Sequence, residues 1–280
     1  NWHFNDSTLT FTFNLRDDVY FHKSEVFLKN HKDSTRLVTA HDFEYSFNRL
    51  LDEKVAARGR WVLNNVEHFY AENDRTFIIK LSQPFPAFLG LLSMRFCSVI
   101  PKEAIDYYGN DFRSNPVGTG PFKFKLWEEN VKLVLRRNPI YFEKDELGNQ
   151  LPYLEAVAIT FLPDKQSEFL QFIQGKLDFI SGLDNSYKDD IVTTQGKLNK
   201  KYEDQINLIT SPYLNTEYLG FFMGSSSSII QSKKIRQAIN YGFDRVKMIK
   251  YLRNGIGIPA THGFIPKGLP GFNEIEGYNY

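Results

Sequence analysis

Over the first eighty residues the spacing of apolar side chains changes period repeatedly, and this constrains the fold more than any other feature. In "TLTFTFNLR", Leu9, Phe11, Phe13 and Leu15 alternate with Thr10, Thr12 and Asn14, the period of two of a half-buried strand. In "TAHDFEYSFNRLL", Phe43, Phe47, Leu50 and Leu51 fall at i, i+4, i+7 and i+8, one stripe of a helix that Thr39 can cap. "DRTFIIKL" returns to period two through Phe77, Ile79 and Leu81, and Pro84 and Pro86 then stop the strand before a short helix from Ala87. "PKEAIDYYG" predicts another helix, with Pro101 near its first turn and Gly109 as its stop.

The same alternation continues beyond a glycine-containing stretch, "NPVGTGPF" at 115–122. Strands are predicted at "VKLVLRR" and "AVAITFLP", then a helix at "KQSEFLQFIQGK" that ends at Gly175, then a strand at "LDFISGL". Strand, helix and strand in succession predict a βαβ-type layer, so the fold class is α/β (mixed α+β) with helices packed on a sheet. "TEYLGFFMG" predicts a further strand. "SKKIRQAINYGFDRVKMIKYL" predicts the longest helix, capped by Ser232. Its inner stripe, Ile235, Ala238 or Ile239, Gly242, Val246 and Ile249, marks it as a core element, with Arg236 and Asp244 as surface or capping groups. "GSSSSII" reads as a loop, and no stretch reaches the roughly 18 apolar residues of a membrane span.

The residues that could carry chemistry point away from catalysis. A phosphate cradle needs converging backbone N–H groups at a helix start, with a Lys and a Ser/Thr to finish it. "NPVGTGPF" lacks that spacing, is followed by a strand, and Pro121 removes a donor. Its glycines are expected to supply positive φ for a tight turn. Histidines 3, 22, 31, 41, 68 and 262 show no metal-ligand spacing, and Cys97 is the single cysteine, in an apolar run where it reads as a small hydrophobe. The acidic pairs Glu128–Glu129 and Asp189–Asp190 are adjacent, so their carboxylates diverge. The 34 basic and 33 acidic residues leave a net charge of +1, which offers no field for nucleic acid. Aromatics at 15% suit core packing or an aromatic-lined cleft.

Several segments, in order along nearly the whole chain, resemble the extracellular solute-binding proteins of family 5, the peptide, dipeptide and nickel receptors of ABC importers. "LTFTFNLRDDVYFH" resembles that family's "LTYTFKLRKGVKFH", and "TAHDFEYSFNRLL" its "TAEDVVFSLERL". "NPVGTGPFKF" with "RNPIYF" is similar to "NPVGTGPYKL" with "RNPDYW". "FIQGKLDF", "KKIRQAINYGFDRVKMI" and "GIGIPATHGFIP" resemble "LQSGEVDI", "KRVRQALAYAIDREAII" and "GQGTPANGPIPP". One departure is clear: "HKSEVFLKNHKDSTRLV" stands where the family has a short glycine loop.

The resemblance implies a periplasmic-binding-protein-like type II fold of two lobes, of which this chain is a fragment. Residues 1–112 correspond to the family's extra domain, 113–214 to the first-lobe α/β layer, and 215–280 to the hinge crossing and the start of the second lobe. It implies a receptor that captures an oligopeptide or dipeptide in the interlobe cleft and delivers it to ABC permease subunits, with no cofactor and no chemistry on the ligand. It also implies a periplasmic or extracytoplasmic place, lipid-anchored through an N-terminal segment outside this chain. A sensor domain of a transcription regulator is the alternative. Strand-end positions facing such a cleft are Ile180, Ser181 and Gly182 after "LDF", and Tyr213, Asn215 and Tyr218 at the crossing. For each tyrosine a second reading stands, interlobe packing with an outward hydroxyl, and for Ser181 a local turn bond.

Overall fold

The computed structural model describes residues 1–29, 32–182, 187–193, 195–253, 255–275 and 277. It divides into two compact units, Asn1–Pro163 and Asp164–Tyr280.

In the first unit, β1 (Trp2–Asn5), β2 (Thr10–Asn14), β3 (Val66–Asn73) and β4 (Thr76–Leu81) form an antiparallel sheet in the order β1-β2-β4-β3. The helix α1 (Ala40–Leu51) packs on it, with Thr39 N donating to Asp42 Oδ2 at 2.8 Å to close its first turn. The predicted stripes meet here. Phe11, Phe77, Ile79 and Leu81 from the sheet, Phe47 and Leu50 from α1, and Phe88 from α2 (Phe88–Leu92) are all buried in one cluster. Phe47 lies edge-on to Phe77, with ring centroids 5.5 Å apart and planes at 90°, so aromatic packing accounts for much of the phenylalanine content.

A second cluster buries Phe21, Val26, Phe27, Val38, Ala104 and Val117 beside α3 (Lys102–Tyr108). Three of these residues, Val26, Phe27 and Val38, come from the segment that departs from the family pattern, which therefore supplies core. The departure also supplies Arg36. Its guanidinium grips Asp42 through Nη1 and Nη2 (2.8 and 2.7 Å) and Glu103 through Nε and Nη2 (2.6 and 2.7 Å), while lying 5.0 Å from the Phe21 ring centroid. Burial opposes its charge, but the hydrogen bonds to Asp42 and Glu103 outweigh this and hold its pKa above the ordinary arginine value.

The glycine stretch is a corner entering β5 (Phe122–Glu128), which forms an antiparallel meander with β6 (Lys132–Arg137) and β7 (Ala156–Thr160). Neither Gly118 nor Gly120 has positive φ, contrary to expectation. A Cβ at Gly120 would meet nothing within 4 Å and one at Gly118 would lie an ordinary 3.8 Å from His22 Cε1, so it is the backbone groups of these residues that matter here. The buried His22 donates from Nε2 to Gly120 O (2.9 Å) and accepts at Nδ1 from Gly118 N (3.3 Å), while its own N–H reaches Gly118 O (2.7 Å). Asn138 Nδ2 adds a further bond to Gly120 O at 3.0 Å. The corner is thus fixed by backbone bonds that no glycine spacing announces.

In the second unit, α4 (Lys165–Ile173) is capped by Asp164, which accepts from Ser167 N at 2.7 Å, and Gly175 follows at φ 71°. Phe169 packs with Ile191 and Val192 beside α5 (Lys188–Ile191). Two predicted strands are absent. The described part of "LDFISGL", 177–182, and all of "TEYLGFFMG" join no ladder, so no βαβ unit forms; Leu183 lies outside the described residues. A strand needs a neighbour to take its backbone bonds, and no described strand offers one. The long helix is also interrupted. After α6 (Ser228–Gln231) come α7 (Lys233–Tyr241) and α8 (Arg245–Lys247), separated where Gly242 weakens the helix and Asp244 accepts from Lys247 N at 2.9 Å to start a new turn. Its expected inner stripe is not a core: Ile235, Ile239 and Val246 are exposed.

Two outcomes follow for the first unit. Arg36→Gln leaves two carboxylates without their cation and is expected to destabilise by about 3–5 kcal/mol in urea denaturation. The triple variant Arg36→Gln/Asp42→Asn/Glu103→Gln should recover part of that loss; if it is as unstable as the single variant, the charge account fails. Burial, with Lys123 adding to it, holds the His22 pKa below the ordinary 6.5 despite the bond to Gly120. The unfolded chain therefore takes up this proton first as pH falls, so the stabilisation is complete above about pH 7 and declines below it, by at most about 1.4 kcal/mol per pH unit. His22→Gln should flatten that slope in pH-dependent unfolding, and an unchanged slope would contradict it.

Candidate functional site

All six candidate ligand-lining residues fall in the second unit. No described residue after Val192 is buried, so this stretch displays its apolar and aromatic side chains. Tyr213 is 86% exposed and Tyr218 71%. Between them Leu214 takes φ 50°, in the left-handed region, and turns the backbone sharply. Leu214 also abuts Gly268, where an added Cβ would come within 3.1 Å of its Cδ2.

Three adjacent residues tie this segment to the chain near 253–264. Thr216 Oγ1 donates to Phe264 O at 2.7 Å, Arg253 Nη1 donates to Glu217 Oε1 at 3.1 Å, and Tyr218 meets the Phe264 ring edge-on at 4.9 Å and 65°. Phe264, itself exposed, belongs to this group and was not singled out from the sequence. Its one signal is its place in "THGFIP", and the pairing across 46 residues leaves no local trace. Asn215 is exposed and bonds no described residue.

The other three residues sit apart in the contact record. Ile180 is half-buried, Ser181 is exposed and hydrogen-bonds no described residue, and Gly182 turns at φ 78°. Neighbouring Phe179, at 72% exposure, adds an aromatic that sequence reasoning passed over. No hydrogen bond or ring contact among the described residues joins 180–182 to 213–218.

The adjacent acids are paired with cations and do not converge on a common point. Glu128 faces Lys132 (3.8 Å) and Glu129 faces Arg113 (3.1 Å). Asp190 is held by Lys201 and by the Tyr202 hydroxyl (2.7 Å), and these bonds lower its pKa. Among the described residues no group of three or more His, Cys, Asp or Glu could hold a metal ion, and no helix is long and apolar enough to cross a membrane; His31 lies outside the described residues. The stretch from 213 to 218 presents aromatic faces, hydroxyls and an amide to solvent.

Comparison with known proteins identifies a family. The family model described as bacterial extracellular solute-binding proteins, family 5 Middle, matches residues 1–280. The periplasmic oligopeptide-binding protein OppA of Salmonella typhimurium is 26% identical over 259 residues, covering 85% of this chain and 45% of that protein. A probable D,D-dipeptide-binding periplasmic protein of Escherichia coli is 27% identical, over 98% of this chain and 48% of that protein. Among solved structures, the periplasmic binding protein DppA of Helicobacter pylori in complex with the peptide STSA aligns with a TM-score of 0.76 at 22% identity, over 98% of this chain and 54% of that one. The chain thus spans about half the length of the relatives it matches. It is a member of the bacterial extracellular solute-binding proteins, family 5.

Proposed function

We propose that this chain forms part of the substrate-binding receptor of an ABC importer, which captures an oligopeptide or dipeptide in a cleft between two lobes and delivers it to permease subunits in the membrane. The observation that carries the reading is the family match along all 280 residues, joined to an exposed aromatic segment. The names of the relatives, oligopeptide-binding and D,D-dipeptide-binding, favour a peptide guest.

In this proposal residues 1–112 are the extra domain, 113–214 the first-lobe layer and 215–280 the crossing and the start of the second lobe. The protein acts outside the cytoplasm, tethered by a lipid on an N-terminal segment. A bound peptide favours the closed arrangement of the lobes, and that arrangement docks on the permease. No bond in the guest needs to break.

Tyr213, Asn215 and Tyr218 line the guest on one side, and Ile180, Ser181 and Gly182 on the other. Several features support these positions. The tyrosines combine large apolar faces with hydroxyl donors, and the left-handed Leu214 between them is a local strain of the kind that clusters at ligand clamps. The exposed amide of Asn215 suits a peptide backbone, which carries one donor and one acceptor per residue.

Alanine at Tyr213 or Tyr218, in the longest polypeptide the gene encodes, is expected to weaken peptide affinity by about tenfold each in titration calorimetry. Unchanged affinity in both variants would remove these residues from the site. Turnover of the peptide would overturn the receptor reading itself.

A further inference from the structure

Beside the glycine corner, within the first unit, lies a pocket of about 100 Å³ whose lining includes His22, Lys23, Ser24, Tyr108, Asn115 and Lys123. That volume admits several waters or one small polyatomic ion. Segments far apart in sequence converge on it: the loop at 22–24, the last residue of α3, the corner, and the start of β5.

The pocket collects positive charge without neutralising it. The ammonium groups of Lys23 and Lys123 form no ion pair or hydrogen bond with any described residue, whereas Lys102 pairs with Asp106 and Lys132 with Glu128. Burial raises the pKa of the Tyr108 hydroxyl, its hydrogen bond with Ser24 lowers it, and the neighbouring Glu25 raises it further. Two ammonium groups lining one pocket repel each other unless a counter-charge lies between them.

One further donor has capacity to spare: Asn115 Nδ2 uses one hydrogen on Asp111 O (3.0 Å) and keeps a second. The Ser24 hydroxyl is engaged with Tyr108 and accepts a long bond from Val26 N (3.5 Å). Both ring nitrogens of His22 are occupied by Gly118 and Gly120, so the imidazole is not available to ligate a metal. The chemistry selects an anion.

We propose that this pocket binds a small tetrahedral oxyanion of the phosphate or sulfate kind, held between the ammonium groups of Lys23 and Lys123 with Asn115 donating to it. The bound anion ties the 22–24 loop to the corner and to β5, so it stabilises the first unit. This site is separate from the peptide-binding residues and does not depend on that reading.

Calorimetric titration of the 280-residue chain with inorganic phosphate, at near-neutral pH and constant ionic strength, tests it. The expected result is saturable single-site binding in the millimolar range or tighter. Lys23→Gln/Lys123→Gln should weaken it at least about tenfold, and Lys23→Arg/Lys123→Arg, which keeps both charges, should retain it. If the double glutamine variant does not fold, as judged by circular dichroism, Lys23→Gln alone, at an exposed residue, carries the test and should weaken binding. Absence of saturable heat in the native chain would overturn the proposal, as would equal affinity in the glutamine variants or loss of binding in the arginine pair.

Discussion

One guanidinium holds the first unit's geometry. Arg36 is bound by Asp42, in the first turn of α1, and by Glu103, in the first turn of α3, with Phe21 and Phe27 against its face. Only the planar fork of arginine can bridge two carboxylates in this way. The start of α1 fixes how Phe47 and Leu50 enter the sheet core, and α3 carries Ala104 into the cluster that includes Val117 of the glycine corner. Sheet, helices and corner are therefore in register through one half-buried cation, and both acids sit where a helix N-terminus already favours negative charge.

The elements of this unit were largely legible because each satisfies itself locally. The alternation in "TLTFTFNLR" and "DRTFIIKL" became β2 and β4, and the Phe43–Phe47–Leu50–Leu51 stripe became α1. The interactions that lock them were not legible. Arg36 and Glu103 are 67 residues apart, and His22 meets its corner across 96 residues, so neither leaves a periodic trace. The corner enters a strand as expected, but its glycines do not supply positive φ; their backbone groups are held by His22.

The later segments misled for a different physical reason. "LDFISGL" and "TEYLGFFMG" carry strand-like composition, yet a strand is a property of a pair, and no described strand lies alongside either. The stripe on α7 likewise lacks a described surface to bury against. Of the candidate site, Tyr213 and Tyr218 were singled out only through the family resemblance, which implies a crossing near them. Their partner Phe264 and the left-handed Leu214 were not, since both depend on the tertiary path of the chain.

The two units thus differ: the first buries an aromatic core that includes Phe47 and Phe77, while no described residue of the second beyond Val192 is buried. Hydrogen exchange read by mass spectrometry, with and without short peptides at millimolar concentration, compares the two directly. The account predicts slow, peptide-independent exchange in β2, β4 and α1, and peptide-dependent protection at 179–182 and 213–224. Protection gained only within residues 1–163, or none anywhere while peptide is bound, would contradict it.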